Sequence, residues 1–113
     1  MHELSLAENV IRIVEAAAQQ ARARRISRVR LGVGALAHVE AETLQFCCGL
    51  AARQTMLADA VFEVERMPGR AHCNGCGQDV ALERIGLPCP QCGGFDLLVT
   101  AGEEMQVLEI VVA

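Results

Sequence analysis

Residues 105–112, MQVLEIVV, decide how the rest of the chain must fold. Leu108, Ile110 and Val112 stand on alternate positions, the period-two pattern of a strand with one buried face. A strand needs neighbours to take up its N–H and C=O groups. The stretch directly before it is rich in cysteine and glycine rather than strand-patterned, so its partners must come from further back.

Two candidates stand there. Val29, Leu31 and Val33 alternate with Arg28, Arg30 and Gly32, with Gly32 and Gly34 marking an end or a bulge. In AVFEVERM (60–67), Phe62 and Val64 face one way and Glu63 and Glu65 the other, until Pro68-Gly69 stops the pattern. Helical periodicity fills the rest. Leu4, Ala7, Val10, Ile11, Val14, Ala17, Ala18 and Ala21 recur at three- and four-residue steps and predict a helix over 3–22. Glu8 and Arg12 add an acid-first pair, and Ser5 is a candidate cap. A second helix is predicted over 41–56, with Leu44, Cys47, Cys48, Ala51 and Thr55 on one face. The order α-β-α-β, cysteine-rich insert, β predicts an α+β fold: two helices packed on a three-stranded sheet, with an inserted zinc-ribbon sub-domain. The main domain is then discontinuous, 1–68 plus 98–113, and the insert covers 69–97.

The 113 residues carry a net charge of −4, and all ten cations are arginine. Four thiolates on one Zn²⁺ bring about −2 more, for about −6 in total. Such a balance argues against a nucleic-acid binder, which needs a basic footprint. The basic exception, Arg22, Arg24, Arg25, Arg28 and Arg30, reads more readily as a solvated face than as a patch for an acidic partner. No apolar run is long enough to span a membrane, and no signal-peptide pattern opens the chain. Six cysteines without a secretory signal fit a reducing, cytosolic setting, where paired thiols point to metal rather than disulfide.

Cys73-x2-Cys76, twelve residues, then Cys89-x2-Cys92 has the spacing of a four-thiolate Zn²⁺ site. Each two-residue gap lets both sulfurs of a knuckle reach one ion, and Gly75, Gly77, Gly93 and Gly94 permit the turns. Four protein ligands leave no open position, so the zinc is expected to be structural. His72 reads as a bystander and His38 as a loop residue. Cys47 and Cys48 lie about 100° apart around a helix, so at most one is centred on the core face. No nucleophile–base set is legible, so the chain is not expected to be an enzyme.

The opening MHELS offers a second kind of metal chemistry. The α-amine of Met1 loses its proton near neutrality, and with the residue-2 amide and the His2 imidazole it closes adjacent chelate rings. Such a nitrogen array suits square-planar Ni(II) or Cu(II). Glu3 can add its amide nitrogen or a carboxylate oxygen. A histidine at position 2 is more often incidental, and residues alone leave that open.

Together, MHELSL, RLGVGAL-x-x-VEAETLQFC, CxxC-x12-CPQCG and GEEMQVLEIVV resemble the HypA/HybF family of nickel metallochaperones for [NiFe]-hydrogenase maturation. The resemblance spans essentially the whole chain in the same order. It implies Ni²⁺ bound as transient cargo at Met1, His2 and Glu3, and structural Zn²⁺ at Cys73, Cys76, Cys89 and Cys92. It also implies delivery to the hydrogenase large subunit, with a nickel-binding GTPase as partner. A homodimer and a role toward urease are left open. The helix stretch FCCGLAARQT (46–55) departs from the family, where an aromatic or acidic residue is more usual than Cys48-Gly49. The rival reading is a zinc-ribbon interaction module in which His2 has no part.

Overall fold

The computed structural model of the chain describes residues 3–113. Its elements run α1 (Glu3–Gln20), β1 (Ile26–Gly34), α2 (Ala41–Ala51), β2 (Val61–Met67), β3 (Arg70–Cys73), β4 (Asp79–Ala81), β5 (Leu97–Ala101) and β6 (Met105–Val112). They gather into two compact units. One comprises residues up to Gly32 with His38–Glu65 and Gln106–Ala113, the other Val33–Ala37 with Arg66–Met105.

The sheet order β2-β1-β6 puts the terminal strand beside the first strand of the chain, as its need for earlier partners predicts. In the first unit, α1 packs on α2 and buries Ala7, Val10, Ile11, Val14 and Ala18. From β1, Val29 and Leu31 are fully buried, and α2 supplies Leu44 and Cys48. Of the three phenylalanines only Phe62 is buried, so this core is aliphatic apart from that one ring. Burying one Leu or Val side chain is worth about 1.5–3 kcal/mol. On β6, Leu108 and Ile110 are half-buried and Val112 is exposed. An edge strand is covered less completely than a central one, so its alternation overstates its burial.

Both helices end earlier than periodicity predicts. Helix α1 stops at Gln20, and Arg22 closes it in the left-handed region with φ 58°. The Ala23 N–H donates to Ala18 O at 2.9 Å and the Arg22 N–H to Gln19 O at 3.0 Å, a Schellman pattern that satisfies two terminal carbonyls. Ser5 lies inside α1, so it is not the cap. Helix α2 stops at Ala51 rather than at 56. There Gln54 adopts φ 63°, and the Thr55 hydroxyl donates to Ala52 O and accepts the Leu57 N–H, building a turn.

In the second unit, β3 pairs antiparallel with both β4 and β5. Ala71 stands between Val80 and Val99 on the inner face, and His72 between Asp79 and Leu98 on the outer. Leu36, Ala71, Cys73, Val80, Leu82 and Cys89 form its small core. The sequence reading ran the cysteine insert over 69–97 as a ribbon, and this second sheet is an addition to it. Gly34, Gly69 and Gly102 meet backbone to backbone beside that core: a β-carbon on Gly102 would lie 2.5 Å from Gly69 Cα. The Leu36 N–H donates to Gly102 O at 2.8 Å across the same junction.

Candidate metal centre

The two cysteine pairs form matching knuckles. In each, the N–H of the residue after the second cysteine donates back to the carbonyl of the first: Gly77 to Cys73 at 2.8 Å, Gly93 to Cys89 at 2.8 Å. That closure needs a left-handed residue, and Gly77 and Gly93 supply it with φ 76° and 77°. The first-cysteine amides are tied as well, Cys73 to Gln78 O at 2.9 Å and Cys89 to Gly94 O at 2.7 Å.

These turns bring all four sulfurs within 4.8 Å of one another. Cys73 Sγ lies 3.6 Å from Cys92 Sγ, and Cys76 Sγ lies 3.8 Å from Cys89 Sγ. Zinc–sulfur bonds of about 2.3 Å at tetrahedral angles separate sulfurs by about 3.8 Å, so the donor set fits Zn²⁺. The Gln91 and Gly94 N–H groups donate to Cys89 Sγ and Cys92 Sγ at 3.4 Å each. Such donors stabilise thiolate over thiol. Acting on Cys89, the Cys92 backbone is the strongest influence, burial opposes it and the Gln91 N–H assists, so the thiol is pushed down to about 7. On Cys76 the Gln78 backbone pulls downward, but burial and the neighbouring thiols outweigh it and lift the thiol to about 11. Cys73 and Cys89 are buried, Cys76 half-buried and Cys92 exposed. Bound zinc would cross-link the knuckles and supply folding free energy, on the order of 10 kcal/mol in small zinc units.

Other singled-out residues fall away from this centre. His72 is outside the four-sulfur group, and its Nδ1 lies 2.8 Å from Asp79 Oδ1. Asn74, inside the first knuckle, ties to Asp96 through both its amide N–H (to Asp96 O, 2.9 Å) and its side chain (to Oδ1, 3.2 Å). The sequence reading missed this tie; a polar residue between two ligand cysteines was its only signal. Cys48 is the core-facing member of its pair, and burial first, then the neighbouring Cys47, pushes its thiol up to about 12. Three of the five arginines in the basic run are matched by carboxylates: Arg28 by Glu63 and Glu109, Arg30 by Glu65 and Glu109, and Arg25 by Asp59.

Of the proposed nickel ligands, Met1 and His2 lie outside the described residues. Glu3 opens α1, and its Oε2 accepts the backbone N–H of Glu40 at 3.2 Å. Glu40 is the N-cap of α2 and makes no side-chain cap of its own. A glutamate at the third helical position would close a capping box at that N–H; here α1 supplies the carboxylate instead. His38 is exposed two residues earlier.

A family model described as "Hydrogenase/urease nickel incorporation, metallochaperone, hypA" matches residues 1–112. The "Hydrogenase maturation factor HypA" of Rhodopseudomonas palustris (strain BisA53) is 46% identical over 110 residues, 97% of each chain. "Hydrogenase maturation factor HypA 2" of Bradyrhizobium diazoefficiens is 43% identical over 110 residues, again 97% of each. In fold, the chain is similar to the solution structure of the Ni metallochaperone HypA from Helicobacter pylori, with TM-score 0.73 and 21% identity over 99% of this chain and 97% of that one. With a model matched end to end and relatives this similar, the chain belongs to the HypA family of hydrogenase/urease nickel-incorporation metallochaperones.

Proposed function

We propose that this chain binds Ni(II) through Met1, His2 and Glu3 and hands it to the [NiFe]-hydrogenase large subunit, with a nickel-binding GTPase as partner. The observation that carries the proposal is the family match, which includes these three residues. The chemistry supports it. The α-amine, the residue-2 amide and the His2 imidazole form contiguous chelate rings on so few atoms that the metal stays open to an acceptor, as a carrier requires. Glu3, held by the Glu40 N–H, anchors the last of the three at the start of α1. The four-cysteine centre takes Zn²⁺ as a structural ion. A cytosolic setting agrees with six cysteines of which four form a metal-capable group.

The absence of lysine gives a selective test. The chain's only primary amine is its α-amine, so an amine-acylating reagent has one target. Acylation is expected to abolish high-affinity nickel binding while leaving zinc content unchanged, and prior nickel loading should slow acylation. His2→Ala should lose nickel as well. Equal nickel affinity before and after acylation removes the amine from the ligand set. Normal binding by His2→Ala as well removes the N-terminal site altogether.

A further inference from the structure

Three nitrogens at the start of the chain are the α-amine, the residue-2 amide and the His2 imidazole. Bound together, they leave one position of a nickel square plane for a further donor. Glu3 can fill it in two ways, each at a cost. Its carboxylate accepts the Glu40 N–H and would have to give up that bond, while its backbone amide would have to lose a proton. A neutral imidazole bears neither cost and is a good donor for nickel.

The chain has three histidines. His72 belongs to the second unit, where its ring lies against Asp79. His38 belongs to the same unit as Glu3 and is exposed. Among the described residues its ring has no hydrogen-bond or ion-pair partner. The bond between Glu3 and Glu40 fixes where it stands. Glu40 follows His38 by two residues, so their Cα atoms are at most about 7 Å apart. The Glu40 N–H in turn lies 3.2 Å from the Glu3 carboxylate. Between the two, Val39 is buried, and Glu40 O accepts the Leu44 N–H at 2.9 Å as α2 begins. His38 is thus carried on an anchored segment, tied through Glu40 to the first residue of α1.

We infer that His38 is a further nickel ligand, its ring nitrogen closing the fourth position of the N-terminal chelate across the Glu3–Glu40 bridge. The inference rests on the proposed N-terminal nickel site and adds to it a side chain from a different part of the sequence. Being on the same molecule gives this single donor a high effective concentration, so it binds without a chelate ring of its own. It is also the donor that leaves first. When the bond to His38 opens, the amine, the amide and the His2 imidazole still hold the ion, and the vacated position admits a ligand of the acceptor. One residue then serves both retention in transit and release on arrival.

The test loads Ni(II) onto the untagged, zinc-loaded full chain. A competing chelator measures affinity and release, and NMR of the histidine rings shows which of them bind. In the wild type the ring signals of His2 and His38 are expected to move together up to one equivalent of nickel, while those of His72 stay in place. His38→Ala should bind nickel at least about tenfold more weakly, the least that loss of a supporting metal-site residue costs. It should also release nickel faster to the chelator, with zinc content and melting temperature unchanged. Added free imidazole should restore most of the lost affinity, which a purely structural role could not produce. His38→Asn, which keeps a polar side chain, should behave like His38→Ala. Wild-type affinity in both variants, or a His38 ring signal that does not move with nickel, overturns the inference. His2→Ala separates it from the reading on which it rests. Loss of nickel there, with normal binding by His38→Ala, leaves the N-terminal site standing without His38. Normal binding by His2→Ala removes the site and this inference with it.

Discussion

A β-carbon on Gly34 would lie 1.9 Å from the carbonyl oxygen of Gly102. No side chain can swing aside there, because the obstacle is backbone. The Gly34 N–H meanwhile donates to Glu104 O at 2.8 Å, so the two segments are also hydrogen-bonded together.

Gly34→Ala is therefore expected to cost at least about 3 kcal/mol, the range of severe packing mutations. Gly102→Ala should be comparably damaging, since it adds a strained φ of 100° to the clash with Gly69. Gly49→Ala, open on all sides, should instead stabilise the isolated chain by roughly 0.5–1 kcal/mol. Thermal unfolding of the three zinc-loaded variants checks the contrast.

Removing one proposed zinc ligand should be felt mainly in the second unit. Cys89→Ser is expected to lose stoichiometric zinc and the β3–β4–β5 pairing, read by metal analysis and amide exchange of Ala71 and Val80. Cys48→Ala should leave zinc content unchanged. Zinc should dissociate as pH falls, because protons compete for each thiolate. Wild-type zinc content in Cys89→Ser would contradict the assignment.

The raised Cys48 thiol has an alkaline signature. Its folded value is about 12 against an ordinary 9. Below 9 the thiol is neutral whether folded or unfolded, so its contribution is intact. Between 9 and 12 only the unfolded chain ionises it, and stability falls as pH rises. A denaturation series across that window should show the loss, and Cys48→Ala should lack it. At neutral pH the same shift reduces the thiolate fraction roughly a thousandfold, so alkylation of Cys48 should wait for unfolding.

Arg22 holds a left-handed conformation that costs a side-chain-bearing residue roughly 1–2 kcal/mol and glycine almost nothing. Arg22→Gly should keep both terminal hydrogen bonds of α1 and raise stability by about 1 kcal/mol. A lower melting temperature would mean that the arginine side chain has a role in the folded chain.

Glu3→Ala should remove the carboxylate from the Glu40 N–H and destabilise the chain by roughly 1 kcal/mol, the worth of a helix cap. The substitution leaves the backbone amide of residue 3 in place. If nickel affinity survives while stability drops, the Glu3 carboxylate is not a nickel ligand. A parallel loss of affinity assigns the carboxylate a share.

What was legible in the sequence follows from the range of the forces involved. Alternation in MQVLEIVV located β6 residue for residue, although Val107 and Val111 on its other face are half-buried like Leu108 and Ile110. Cysteine spacing located the four-sulfur group, since two-residue gaps limit what the sulfurs can reach. Helix ends were less visible. Arg22 terminates α1, and Gln54 shapes the turn after α2, in a conformation usually given to glycine or asparagine, so no residue type announced either feature. The second sheet was hidden because strands of three to five residues, such as Asp79–Ala81, are too short to show a period. Crowding at Gly34 and capping by Glu3 join residues far apart in the chain, and no local pattern records them.

The uneven burial of the four sulfurs would set the kinetics of a metal held between them. Cys73 and Cys89 sit against the small core, Cys76 is half covered and Cys92 faces solvent. A chelator arriving from solution would meet Cys92 first, and exchange is expected to open that bond while the buried pair still holds. Zinc should therefore leave stepwise through a three-coordinate or mixed-ligand state. Its off-rate would then respond to substitutions around Gly94, whose N–H steadies the Cys92 sulfur, more than to substitutions around the deeper thiols.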